Sequence, residues 1–203
     1  MYVVVSIETG DLDSPPVAAY TVVVKSNGRE GKLWDLRNGG DDLTSFLYEY
    51  AAGQTPLITF NGTGFGFKCL ASITRNVDRV ETLALLTHDI FLDFATENGY
   101  FVSLNSFTSG CGLPGRGTAS SNDYDALAAQ ADRTANAIAN VVDFLEKNNK
   151  VYRLSKAGKK SMWQPRGNLF RVAHKCIEEY ENNPIEAKWL TSKPDLKGIW
   201  AWI

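Results

Sequence analysis

Three β-patterned stretches open the chain in succession, and only after them do helical and strand spacings alternate. That order is the strongest constraint on the fold. Residues 3–7, 17–25 and 31–36 are rich in β-branched and apolar side chains, which favour pleated, half-buried backbone. Gly10, two aspartates and a Pro-Pro pair forbid regular structure over residues 11–16. The three stretches therefore read as an antiparallel meander.

The remaining pattern is mixed. Leu43, Phe46, Leu47 and Tyr50 recur at helical spacing over 43–52, and Gly53 stops them. Residues 56–60 are a short apolar strand ending at Asn61-Gly62, with a helix expected over about 65–74. Further helices are expected over about 87–98, 104–111 and 169–180, and a final short strand over 151–154. A long Ala-rich helix is expected from an Asn122 or Asp123 cap to about Lys147. Its apolar stripe is Leu127, Ala131, Ala135, Ile138, Val142 and Leu145. Strands first and alternation afterwards predict one α/β domain over residues 1–203, a mixed sheet flanked by helices. Residues 184–203 are expected as a tail packed by Trp189, Trp200 and Trp202.

Composition narrows the class. The 203 residues are 44% hydrophobic and 22% charged, ordinary for a globular chain with a core able to fold unaided. No run of about 18 apolar residues offers a spanning helix, and Met1–Val5 has no charged leader pattern, so no membrane partner is expected. Three widely spaced cysteines, Cys69, Cys111 and Cys176, exclude a disulfide scaffold and a CxxC zinc site and fit a cytoplasmic setting.

Charge is segregated although the net value is only -2. Residues 1–146 carry 9 basic and 18 acidic side chains, whereas residues 147–177 carry 9 basic and none acidic. Such a run is either a solvated face or a contact for a phosphate backbone. Trp163 within it offers one stacking face.

Four constellations carry possible chemistry. Ser6 and Glu8 fall on one face of the first strand, with Ile7 on the other; two oxygen-bearing side chains at that spacing suit a hard cation, although a strand-end glutamate is more often simply exposed. The run from Leu57 to Leu70 passes from strand through a Gly-rich turn into a helix, a place where a ligand can approach backbone closely. Its spacing is not that of a nucleotide P-loop. His88-Asp89 reads as a metal or acid/base pair, or as a helix start that Asp89 caps. Asp132, within Gln130-Ala131-Asp132-Arg133-Thr134, stands beside the apolar stripe; an ion pair or a solvated position is its commoner fate.

In this order and at these distances the four pieces resemble the DEDD group of proofreading-type 3′–5′ exonucleases. The similarity is to the branch whose second motif reads Asn-Gly-x-x-Phe-Asp-x-x-x-Leu, matched here at Asn61, Gly62, Phe65 and Leu70. Residues 5–9 stand at the family's Asp-Ile-Glu-Thr. His88-Asp89, Gly99-Tyr100-Phe101 and Ser103-Leu104 fit its middle segment. Residues 110–116 fit its Gly-Leu-Pro-Gly-Lys turn, and residues 130–134 its Gln-Asp-x-x-Thr. The resemblance implies a ribonuclease H-like fold and hydrolysis at a single-stranded nucleic-acid end by four carboxylates holding two divalent cations.

The departures define the functional expectation. Ser6 and Gly66 occupy two family aspartate positions. Ala131 occupies the third when Thr134 stays in register, and a one-residue shift to Asp132 turns the side chain by roughly 100° on a helix. The tyrosine expected four residues earlier is replaced by Leu127 or Ala128. The resemblance thus implies a degenerate exonuclease-like domain that binds nucleic acid with little or no catalysis. Glu8 and Asp132 are its catalytic remnants, and Glu8 and Asp89 form at most a weak Mg²⁺ or Mn²⁺ site. Asn61, Phe65, Lys156, Lys159, Lys160 and Arg166 are the expected nucleic-acid contacts. The competing expectation is an active metal-dependent exonuclease that recruits Asp11, Asp13, Asp89 or Asp132 around Glu8.

Overall fold

The computed structural model describes residues 1–10, 14–117, 123–167, 169–185, 187 and 194–203. The expected loop aspartates Asp11 and Asp13, and the tail's Trp189, lie outside the described residues. Among those described, the chain is a mixed α/β structure with a five-stranded sheet, a separate two-stranded hairpin and seven α-helices. No helix among the described residues is long and apolar enough to cross a membrane.

The opening meander is present as β1 (Tyr2–Thr9), β2 (Pro16–Lys25) and β3 (Gly28–Asp35), paired antiparallel. Helix α1 (Asp41–Ala52) leads to β4 (Leu57–Thr59), which pairs parallel to β1 with Val4 opposite Ile58. A π-helical turn over Gly62–Gly66 and the short α2 (Phe67–Ala71) replace the helix expected over 65–74. Three glycines in that turn accommodate the wider backbone. Then come α3 (Val77–Leu86), β5 (His88–Asp89), α4 (Ile90–Asn98) and α5 (Leu104–Cys111). The spacing reading supplied neither α3 nor β5. Two residues of strand at the head of α4 carry too little periodicity to separate from the helix, yet β5 closes the parallel edge, with Thr59 opposite Asp89. The sheet order is β3-β2-β1-β4-β5, so β1 is central.

The long helix α6 (Tyr124–Asn148) starts at Asp123, whose side chain accepts from the Ala126 N–H at 2.9 Å, and ends at a left-handed Asn149. Strand 151–154 is not the last: β6 (Val151–Leu154) turns back through residues 155–159 into β7 (Lys160–Trp163). Beyond them α7 (Ala173–Asn182) begins later than residue 169 because Phe170 enters the core and Val172 bridges to His88.

Two apolar layers cover the sheet. Tyr2, Val4, Val22 and Ile58 pack with α4, α5, α6 and Trp163 on one face, while Val3, Val5, Ile7 and Leu57 pack with α1, α2 and α3 on the other. Alternation along β1 therefore sends Ser6 and Glu8 to the α6 face. A glycine is required where α5 meets β6, because a Cβ on Gly110 would lie 2.3 Å from the Tyr152 carbonyl oxygen.

Candidate functional site

The C-terminal ends of β1 and β4 open into a cleft of about 400 Å³ against α5 and α6. It is lined by Ser6 and Glu8 from β1, and by Thr59, Phe60, Asn61, Phe65 and Gly66 from β4 and the turn after it. Ser103 and Leu104 line it from the start of α5, Arg116 from the next loop, and Thr134 and Ile138 from α6. Of the residues singled out in the sequence, Ser6, Glu8, Asn61, Phe65 and Gly66 thus converge, together with Gly62, Ser103, Leu104 and Thr134 from the same motifs.

Glu8 sits where the β1–β2 register shifts. Its Oε1 accepts from the Thr134 hydroxyl at 3.0 Å and from the Ser6 hydroxyl at 3.4 Å. Burial pushes the Glu8 carboxyl above its ordinary value. Those two hydroxyls and the positive charges of Arg116 and Arg133 act in the opposite direction and do not cancel the burial. Thr134 is itself oriented by Gln130, whose Nε2 donates to its hydroxyl at 3.0 Å. The side chains of Gln130 and Arg133 also donate to the Arg116 carbonyl, at 3.4 and 3.2 Å, so α6 holds the loop that brings Arg116 to the cleft.

The turn after β4 is held by Asp89. That side chain has no exposed surface. Its carboxylate caps α4 by accepting from the N–H groups of Phe91 and Leu92, at 3.0 and 3.4 Å, and also accepts from Asn61 and Thr63, at 2.8 and 2.9 Å. Burial pushes the Asp89 carboxyl up, against the pull of those donors. Asn61 takes a left-handed backbone, φ 59°, at the point where the strand breaks. Asn61 and Phe65 both line the cleft. Thr59 adds a buried hydroxyl with no hydrogen-bond partner among the described residues.

Three expected site residues are placed elsewhere. Asp89 does not reach Glu8 as a metal ligand, because backbone N–H groups occupy its carboxylate; the helix-cap reading of it is the one observed. Asp132 is turned from the cleft on α6 and accepts from Asn136 Nδ2 at 2.6 Å and from the Tyr20 hydroxyl, as a one-residue step around a helix requires. Arg166 lies outside the cleft lining and is engaged in ion pairs. It pairs with Glu97 at 3.1 Å and Glu179 at 3.3 Å, beside the buried Arg171–Asp93 pair at 2.6 Å.

Ala131 is fully buried on α6, one turn before Thr134. Gly66 has an ordinary right-handed backbone, and a Cβ there would meet only Ile7, at 3.6 Å. Lys156, Lys159 and Lys160 are exposed on the β6–β7 hairpin, with Lys160 over the Tyr152 ring at 4.5 Å. The hairpin is fastened near the cleft: Ser106, one turn along α5 from Ser103, donates to the Leu154 carbonyl at 2.7 Å.

Thr59, Phe60 and Arg116 were not singled out by residue type. The position of Arg116 at the end of the Gly-Leu-Pro-Gly turn was the available signal for it; Thr59 and Phe60 read only as strand. Among the described residues, no three His, Cys, Asp or Glu side chains group to hold a metal ion, and all three cysteines are free thiols. The chain matches no protein-family model and no curated protein.

Proposed function

We propose that the chain is a degenerate 3′–5′ exonuclease-like domain of the ribonuclease H-like type. In this reading it binds a single-stranded nucleic-acid end in the cleft and performs little or no hydrolysis there. One observation carries the reading: residues from five separate segments, in the order the exonuclease resemblance implies, meet in one cleft, and Glu8 is the sole carboxylate among its described lining residues.

The donor chemistry is that of a binding site. Two divalent cations need several anionic oxygens between them, and Mg²⁺ demands near-octahedral oxygen geometry. Glu8, two hydroxyls and an asparagine amide do not fit a cation pair. They do fit a phosphate and a sugar: Arg116 supplies charge, Asn61 and Ser103 supply hydrogen-bonding groups, and Phe60 and Phe65 supply apolar faces for a base. A carboxyl pushed up by burial repels a phosphate less than an ordinary glutamate does.

The test is paired. A fluorescein-labelled single-stranded oligonucleotide should bind with an affinity that falls as salt rises, and Lys156→Gln, Lys159→Gln and Lys160→Gln together should flatten that slope. With millimolar Mn²⁺ the same oligonucleotide should remain intact. Digestion that Glu8→Ala abolishes would overturn the non-catalytic reading, and absence of any salt-dependent binding would overturn the nucleic-acid reading.

A further inference from the structure

One wall of the cleft continues outward as aromatic rings. Phe60, which lines the cleft, packs against Phe91 with centroids 5.6 Å apart, and Phe91 packs against Phe101 at 5.2 Å. The first two rings are half-buried. Phe101 is 46% exposed, although an open phenylalanine forfeits burial that would stabilise the fold. Its chain neighbour Tyr100 lies under the Arg153 guanidinium, 5.1 Å from the ring centre. Arg153 belongs to β6, so the backbone that carries Phe101 passes beside the hairpin at Tyr100. Residues 150–160 carry Lys150, Arg153, Lys156, Lys159 and Lys160 and no acidic side chain.

Resting on the nucleic-acid reading above, we propose that Phe60, Phe91 and Phe101 form a stacking path along which the bases of a single strand leave the cleft toward the basic hairpin. Open π faces joined to a one-sign cationic surface suit a polyanion with flat, unstacked bases. The rings lie too close together to admit a base between them. Contact is made on their outer faces, one at Phe60 inside the cleft and one at Phe101 outside it. An acidic peptide satisfies the charge but leaves the exposed ring unused.

The experiment compares two probes on the full chain: an oligothymidylate of about 12 nucleotides and an abasic strand with the same phosphates. Wild type should bind the thymidylate more tightly. Phe101→Ala should weaken thymidylate binding about fivefold or more, as loss of one stacked base requires. It should leave the abasic strand unchanged, and Phe101→Trp should retain wild-type affinity. Circular dichroism should show Phe101→Ala folded, since the ring is at the surface. Equal binding of the two probes by wild type, or an unaltered thymidylate affinity in Phe101→Ala, overturns the path while leaving the nucleic-acid reading in place. Failure of both probes to bind overturns the two together.

Discussion

Replacing Asp89 with asparagine should destabilise the protein by about 3 kcal/mol, and the figure follows from four hydrogen bonds. An amide placed with its oxygen at the Oδ1 position keeps the Asn61, Phe91 and Leu92 donors. Its NH₂ then faces the Thr63 N–H, which the carboxylate now meets at 2.9 Å, and two donors confront each other in a site without exposed surface. Losing a hydrogen bond to a charged acceptor costs about 1.5–3 kcal/mol, and a buried donor left without a partner about 1–3. Loss of the negative charge at the start of α4 adds about 0.3–1 kcal/mol. These overlap, and relief of the buried charge, which holds the Asp89 carboxyl above its ordinary value, works against them, which brings the total to about 3. Urea unfolding at neutral pH, followed by tryptophan fluorescence, measures the change as a lower midpoint at unchanged slope. Amide exchange at Thr63 should accelerate more than exchange in β1. A carboxylate kept in place for metal binding behaves in the opposite way, because removing its buried charge relieves the fold. An Asp89→Asn protein within about 0.5 kcal/mol of wild type, or more stable than it, refutes the positioning role.

Glu8→Gln should stabilise the protein at neutral pH. Burial raises the folded-state pKa of Glu8, so its contribution to stability is fully present below the ordinary carboxylate value and is lost as pH rises through the raised one. The glutamine keeps an oxygen for Thr134 and Ser6 without the charge, and thermal melts should show its advantage at pH 7 shrinking toward pH 4; a destabilised Glu8→Gln at pH 7 contradicts this. Arg171→Ala should cost about 3–5 kcal/mol, since it strands the fully buried Asp93 carboxylate, and a loss below about 1 kcal/mol in urea unfolding would show the pair to be dispensable. Ser6→Asp, Gly66→Asp and Ala131→Asp combined should introduce Mn²⁺ binding measurable by calorimetry, since Ser6 and Gly66 line the cleft and a Cβ fits at Gly66. A folded triple variant with no gain in Mn²⁺ affinity over wild type would show that these positions are not the lost ligand positions.

Sequence periodicity recovered the elements that carry many repeats of their own pattern. Helix α6 spans 25 residues, with its stripe running from Leu127 to Leu145 behind a capping aspartate, and α5 covers the expected residues because Leu104 and Phe107 turn one face inward between a serine cap and a glycine stop. The misses have a common physical origin. In β5 only two residues pair, and their strand character comes from lying beside β4. In β7 the sequence Lys-Ser-Met-Trp sits inside a cationic run, so three of its four side chains are not buried and the alternation fades. Its strand character comes from pairing with β6. Tertiary partners decide such segments.

The site divides along the same line. Ser6 and Glu8 were legible from strand alternation, and Asn61, Phe65 and Gly66 through the exonuclease resemblance; all five lie at strand ends or in the first turn after a parallel strand, where a mixed sheet opens. Asp89, Asp132 and Arg166 were not, because a charged residue reads identically whether it caps a helix, bonds a neighbour or meets a ligand. What separates these fates is the partner supply. Asp89 is encircled by backbone donors, Arg166 by glutamates, and Asp132 by Asn136 and Tyr20. These partners take up hydrogen-bonding capacity that a ligand would otherwise use, in full for the buried Asp89 and in part for Asp132 and the exposed Arg166. Thr59 retains that capacity, with a buried hydroxyl and no partner among the described residues. A search for function in such a fold therefore gains more from a polar group that the protein fails to satisfy than from the charges it already neutralises. Among the described residues that criterion selects two hydroxyls, Thr59 at the β4 edge of the cleft and Ser161 on the basic β6–β7 hairpin, whereas the Glu97 carboxylate is already neutralised by Arg166.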